Sequence, residues 1–385
     1  MDAMNTMEQA MSASNPLKAM QDYGQAVWLD YIERNLLTSG DLNRMVMEDG
    51  LRGVTSNPAI FEKAISGSQE YAADIEGIRD QNVDAKTAYE QLAIRDVQQA
   101  ADILRPVYES TTKRDGYVSL EVSPHLARDS AGTLTEARRL WRSVARDNLM
   151  IKVPGTVEGI AVIGQLIREG INVNVTLLFS QSVYEQAADA YMTGLEQRAV
   201  AGDSLEGVAS VASFFISRTD AAVEEIIEEQ LKSGPPGPRR QALSGLRGKV
   251  AIANAKLAYQ RYQAFVSSRR WRRLADMGAQ TQRLLWASTG TKNPDYRDVL
   301  YIEELIGRDT VNTMPPATFD AFRHHGRLRT SLTEDVASAH ATLQTLSEAG
   351  IALQDISAKL LTTGLEQFSE AFDKLLSAVD VNRQT

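Results

Sequence analysis

The chain has 385 residues, with 41 Lys plus Arg against 50 Asp plus Glu, a formal charge of −9. At 43% hydrophobic and 24% charged it has the composition of an ordinary globular protein, and the acidic balance argues against a dedicated nucleic-acid binder. It has no cysteine and only four histidines, none paired at a helical i, i+4 spacing, which excludes disulfides, Cys-ligated metals and a thiol nucleophile.

The expectation is therefore no metal and no cofactor. No apolar run reaches the roughly 18 residues of a membrane span, and Met1–Ala13 lacks the basic start of a secretory leader. A cytoplasmic enzyme with no membrane partner is expected.

Short β-branched runs alternate with helical patterns along the chain. The strand candidates are Ala26–Asp30, Gly53–Asn57, Tyr117–Val122, Leu149–Pro154, Asn172–Phe179, Val208–Phe215, Arg283–Thr289 and Thr310–Met314. The intervening helices are amphipathic, Thr135–Ala145 and Glu224–Leu231 most clearly. This alternation predicts an α/β fold, a single (β/α)8 TIM barrel. An open doubly wound sheet would bring a glycine-rich phosphate turn after its first strand, and none is there. The barrel is expected over residues 1–326, with a helical lead-in and a Pro/Gly/Arg-rich surface excursion at Ser233–Arg247. Residues 327–385 have no strand signal. They read as a C-terminal helical extension packed on the barrel, with Ile351, Ile356, Leu360 and Leu361 on an apolar stripe.

In a closed barrel one strand face meets the helices and the other meets the interior. On the fifth strand Val173, Val175 and Leu177 share one face, and Asn172, Asn174 and Thr176 the other. On the third, Val118, Leu120 and Val122 oppose Tyr117, Ser119 and Glu121. On the fourth, Ile151 and Val153 oppose Met150 and Lys152, while the first and second runs end on Asp30 and Asn57. Five successive strands thus bring polar groups to one interior. An unpaired buried charge costs several kcal/mol. A structural ion pair of Lys152 with Glu121 or Asp30 would account for part of the set, and a reaction site for all of it.

Burial disfavours the charged form of an amine, and a neutral lysine amine adds to carbonyls to form a Schiff base. The iminium withdraws electrons, so the neighbouring C–C bond can break toward an enamine. Two carboxylates and a Thr hydroxyl could move the protons. Arg218, which follows the sixth strand at a helix start, and Lys292, after the seventh, are candidate phosphate ligands at the C-terminal ends of barrel strands.

Five segments in order carry a resemblance. They are Gly53-Val-Thr-Ser-Asn-Pro-Ala-Ile-Phe61, Ser119-Leu-Glu121-Val, Met150-Ile-Lys152-Val-Pro-Gly-Thr156, Gly170-Ile-Asn-Val-Asn174-Val-Thr176-Leu-Leu-Phe-Ser180 and Leu285-Trp-Ala-Ser-Thr-Gly-Thr-Lys-Asn-Pro294. Together they resemble the transaldolase family, in its longer bacterial and plant-type form. The resemblance implies a circularly permuted class I aldolase barrel with Lys152 as the Schiff-base lysine. It further implies Asp30 as acid/base for C–C cleavage, and Glu121 with Thr176 holding the catalytic water. Asn57 and Asn174 would bind the dihydroxyacetone part, and Ser213 with Arg218 the phosphate end. Shorter members place an Arg after the seventh strand where this chain has Thr291-Lys292.

The activity implied is a transaldolase of the pentose phosphate pathway, working on sugar phosphates as a monomer or homodimer. It would move a three-carbon unit from sedoheptulose 7-phosphate or fructose 6-phosphate to glyceraldehyde 3-phosphate or erythrose 4-phosphate. Alternatives are an aldolase that releases free dihydroxyacetone from fructose 6-phosphate, or a non-catalytic barrel acting as a binding module. Water exclusion around the enamine separates the first two. Three other motifs are set aside: Gly245-Leu-Arg-Gly-Lys249-Val250 lacks the hydroxyl of a phosphate loop. Arg269-Arg-Trp-Arg-Arg273 reads as a solvated face of a long helix, and His324-His325 as capping or packing residues.

Overall fold

The computed structural model describes residues 15–384 other than Ser68 and Asp80, so the reading of Met1–Ala13 lies outside the described residues. Eight parallel strands close a barrel in sequence order: β1 (Gln25–Asp30), β2 (Gly53–Thr55), β3 (Tyr117–Glu121), β4 (Leu149–Pro154), β5 (Val173–Leu178), β6 (Ser210–Phe215), β7 (Arg283–Ala287) and β8 (Thr310–Met314). Helices join successive strands, as the alternation predicts, so the fold is a (β/α)8 barrel. No helix among the described residues is long and apolar enough to cross a membrane.

The interior is layered. Trp28, Tyr117, Met150, Val211, Leu285 and Val311 share one apolar cluster inside the strands, while Val27, Leu29, Val118, Leu120, Ile151 and Val153 belong to the outer core against the helices. Gly53 is required in this lower layer, because a Cβ there would lie 2.5 Å from the Trp28 ring. With the lower interior filled by side chains, polar groups collect at the C-terminal ends of the strands.

The fifth strand departs from simple alternation. Val175 pairs with Ala212 but Leu178 pairs with Phe214, so β5 carries one extra residue between them. Leu177 takes a left-handed backbone with φ +58°, which costs a non-glycine residue about 1–3 kcal/mol. In consequence Leu177 does not join Val173 and Val175 against the helices. It turns into the mouth beside Phe179, Phe215 and Phe368, and Leu178 takes the outer place. A period-two reading cannot anticipate a bulge.

The second strand is shorter than its apolar run. Asn57 caps the helix Pro58–Gly67 by accepting from the Ile60 N–H at 3.0 Å. The Pro/Gly/Arg-rich excursion forms a helix, Gly237–Gly245, whose Leu243, with Leu246 just beyond, packs on Val223, Ile227, Leu346 and Ile351. Arg269–Asp276 is a separate eight-residue helix rather than part of a long one, begun by the Ser268 side chain on the Trp271 N–H. Arg270 in it is paired with Glu196. His325 ends the helix Pro316–His325 and pairs with Asp298 at 2.8 Å.

Beyond residue 327 lie a short turn, the helix Val336–Glu348 and a 32-residue helix, Leu353–Gln384. The apolar stripe of this last helix meets three clusters in turn. Ile356 packs with the excursion, Leu365 and Phe368 close over the barrel mouth, and Phe372, Leu375 and Val379 join the outer core. The helix runs against Pro58–Gly67, Ala72–Arg79 and Ala85–Ser110, and so crosses the end of the barrel where the polar groups gather.

Candidate active site

Strand register sets the centre of the site. Glu121 pairs with Lys152 across β3 and β4, and Lys152 pairs with Asn174 across β4 and β5. Paired residues on parallel strands point the same way, so all three enter the interior. Lys152 is 5% exposed; its Nζ donates to the Ser56 carbonyl at 2.8 Å and lies 3.2 Å from Glu121 Oε2. That contact is an ion pair without hydrogen-bond alignment, and Oε2 has no other polar partner. Burial pushes the Glu121 carboxyl above its ordinary pKa; Lys152 opposes the shift and Asp30 adds to it.

Asp30, at the end of β1, faces the same space. Thr55 donates to Asp30 Oδ1 at 2.7 Å, and Thr313 Oγ1 lies 2.7 Å from Thr55 Oγ1. With the Thr55 hydrogen committed to Asp30, Thr313 is the donor in that second contact. Burial raises the Asp30 pKa, against Lys152, the Thr55 hydrogen bond and Arg218. Thr176 is fully buried and its hydroxyl makes no hydrogen bond to the protein.

A cavity of about 190 Å³ opens here, lined by Asp30, Asn57, Lys152, Thr176, Ser213, Arg218 and Lys292 among others. Seven of the nine residues singled out in the sequence therefore share one wall. Glu121 stands directly behind Lys152. Asn174 is fully buried behind Ser213: it accepts from Ser213 Oγ at 2.7 Å and donates to Ser119 Oγ at 3.1 Å. Because the Ser213 hydrogen is spent on Asn174, Ser213 presents lone pairs to the cavity, which suit a substrate hydroxyl better than a phosphate oxygen. Asn57 uses its oxygen in the helix cap, which leaves its amide hydrogens for a ligand.

The rim is cationic. Arg218 lies in the first turn of the helix Ser217–Lys232, half-buried, with its guanidinium 5.7 Å from the Phe215 ring centroid. Burial lowers its pKa from the ordinary value, and Asp30 opposes that. Lys292 is exposed on the loop after β7. The same loop brings Ser288 and Gly290 to the wall, Ser288 with a left-handed φ of +56°.

Thr55, Thr313, Ser56, Phe215 and Phe368 belong to this site and were missed in the sequence. Thr55 could have been found, since it is two residues from Asn57 and on the inward face of its strand. Phe368 could not, because it comes from a helix about 190 residues away in the chain from Thr176. Among the described residues no group of three or more His, Cys, Asp or Glu is arranged to hold a metal ion. Two larger hollows lie elsewhere on the molecule, on the outer faces of helices and away from this chemistry.

The sequence is similar to known proteins along nearly its whole length. The family described as Transaldolase/Fructose-6-phosphate aldolase matches residues 27–379, a span that includes the excursion and almost all of the last helix. A protein of Nostoc punctiforme called Transaldolase 2 is 46% identical over 372 residues, covering 96% of this chain and 97% of its own. Transaldolases of Trichodesmium erythraeum and Thiobacillus denitrificans are 44% and 45% identical, each over 95% of this chain and 97% and 99% of their own. Identity of this degree along nearly the whole length, over a barrel whose interior holds one buried lysine flanked by two carboxylates, leaves one assignment: the chain belongs to the transaldolase/fructose-6-phosphate aldolase family.

Proposed function

We propose that the protein is a transaldolase working through a Schiff base on Lys152. The observation that carries this reading is the buried Nζ of Lys152 at a cavity shared with Asp30 and Arg218. In this scheme the neutral amine adds to the C2 carbonyl of a ketose phosphate, and the carbinolamine loses water to give the iminium. Glu121 sits 3.2 Å from the amine, and Thr176 has a free hydroxyl, so together they hold that water and move its protons.

Asp30 then takes the proton of the C4 hydroxyl. The C3–C4 bond breaks, its electron pair passes into the iminium, and an aldose phosphate leaves. The three-carbon enamine stays on Lys152 until an acceptor aldehyde binds, when the same steps run in reverse. A carboxyl raised by burial and steadied by Thr55 is suited to both directions, because its pKa lies nearer the working pH. Asn57, and Asn174 acting through Ser213, hold the dihydroxyacetone part; Arg218 and Lys292 take the phosphate. Phe215 and Phe368 on the wall limit water access to the enamine.

Sedoheptulose 7-phosphate or fructose 6-phosphate as donor, and erythrose 4-phosphate or glyceraldehyde 3-phosphate as acceptor, fit a cavity with polar sides and a cationic rim. A cytoplasmic location is part of the same reading, supported by the cysteine-free composition, and the enzyme is read as a monomer or homodimer.

The test is incubation with fructose 6-phosphate and borohydride, with the adduct mapped by mass spectrometry and free dihydroxyacetone assayed in parallel. A reduced three-carbon adduct on Lys152 with little free triose is expected. The same adduct with steady triose release would make the enzyme an aldolase, and no adduct from folded protein would sink the Schiff-base mechanism.

A further inference from the structure

We infer that Gln367 on the last helix is a positioning residue for the Arg218 guanidinium, so that this helix takes part in selecting phosphorylated substrates. The inference rests on Arg218 being the phosphate ligand proposed above.

Arg218 Nη1 donates to Gln367 Oε1 at 2.9 Å. Arg218 also lies against the Phe215 ring and feels Asp30 through space. A guanidinium has five N–H donors in a rigid fork, so one fixed bond orients the rest. The acceptor matters as much as the bond. Gln367 is neutral, and it anchors the fork while leaving the full positive charge for a phosphate; a carboxylate in its place would neutralise that charge.

The helix is built to stay close. Gly364, one turn before Gln367, allows the approach: a Cβ there would lie 3.1 Å from Leu177 Cδ2 and 3.7 Å from Arg218 Nη1. Leu177 reaches that point because of its left-handed backbone. The helix is held down by its buried side chains Leu365, Phe368 and Phe372. Ser357 Oγ bonds the Leu353 carbonyl of its own helix at 2.8 Å and lies 3.2 Å from the Phe179 carbonyl, and Asp373 pairs with His125 at 2.8 Å on the exposed surface. Gln367 is thus held over the mouth by the packing on either side of it, with Phe368 next to it on the cavity wall.

The experiment uses the full chain and four variants: Gln367→Met, Gln367→Glu, Arg218→Ala and the double Gln367→Met/Arg218→Ala. Each is titrated with inorganic phosphate by calorimetry and assayed with fructose 6-phosphate and with unphosphorylated fructose. Gln367→Met is expected to weaken phosphate binding and raise KM for fructose 6-phosphate by about three- to tenfold, the worth of one ordinary hydrogen bond at an exposed position. The effect on kcat should be smaller, and KM for fructose unchanged. Gln367→Glu should weaken phosphate further, and in the Arg218→Ala background the Met substitution should do nothing.

An equal effect on fructose, a loss in kcat alone, or full additivity with Arg218→Ala would overturn the inference. Gln367 is exposed, so these variants should fold, and equal Tm values check it. The phosphate titration needs no turnover. It therefore reads the Gln367 contact even if borohydride traps nothing on Lys152, an outcome that would count against the proposed reaction instead.

Discussion

Glu121 and Lys152 are register partners on adjacent strands, and their charged ends lie 3.2 Å apart with both side chains 6% exposed. A pair so buried is stable only while both members are present, because removing one leaves the other charged and unsolvated.

Lys152→Met should abolish turnover and adduct formation, and it should also lower Tm by stranding Glu121. Adding Glu121→Gln should restore much of the lost stability without restoring activity. Thermal melts of the single and double variants check this; a single variant as stable as wild type would mean that Glu121 is already protonated in the folded protein.

The raised carboxyl of Asp30 makes stability depend on pH with a definite sign. Its folded pKa lies above its ordinary value of 3.8, so between the two the native state binds more protons than the unfolded state. Stability contributed by this site therefore falls as pH rises through that window, and the cost is fully present above it. Asp30→Asn keeps an oxygen for the Thr55 hydrogen bond and removes the charge. It should raise Tm at pH 8 and have little effect at pH 3. A gain that is the same at both values would mean the shift has been misassigned. Activity should fall, with adduct formation retained.

Thr176 offers a test that separates a reacting group from a packing group. Its hydroxyl is buried without a protein partner, which is a cost to the fold unless a ligand or water uses it. Thr176→Val should slow turnover by about tenfold or more while leaving Tm equal or higher. A variant of normal activity would remove Thr176 from the proton path.

Arg218 and Lys292 should differ in weight. Arg218 is half-buried and oriented; Lys292 is exposed, where solvent and salt screen its charge. Arg218→Ala should raise KM for phosphorylated donors by about a hundredfold, on the scale of a lost charge-assisted contact, and for unphosphorylated ones much less. Lys292→Ala should raise it only a few-fold, and less at high salt. Steady-state kinetics with fructose 6-phosphate and fructose at two ionic strengths measures both.

The sequence alone was enough for the alternation of strands and helices, the in/out faces of β3 and β4, and the inward direction of Lys152, Glu121 and Thr176. Those are local properties: side-chain direction follows from a two-residue period, and an inward polar residue on a buried strand is legible without knowing its neighbours. Three features were decided only by the tertiary structure. The bulge that turns Leu177 from the helices to the mouth depends on how β5 meets β6, a register that neither strand encodes by itself. The withdrawal of Asn174 behind Ser213 depends on which side chain captures which donor once both are buried. Gln367 and Phe368 reach the site because Gly364 lets a distant helix settle on Leu177, and nothing in a helical apolar stripe says which surface will cover it. Chain periodicity specifies which face is apolar; only packing specifies what that face meets.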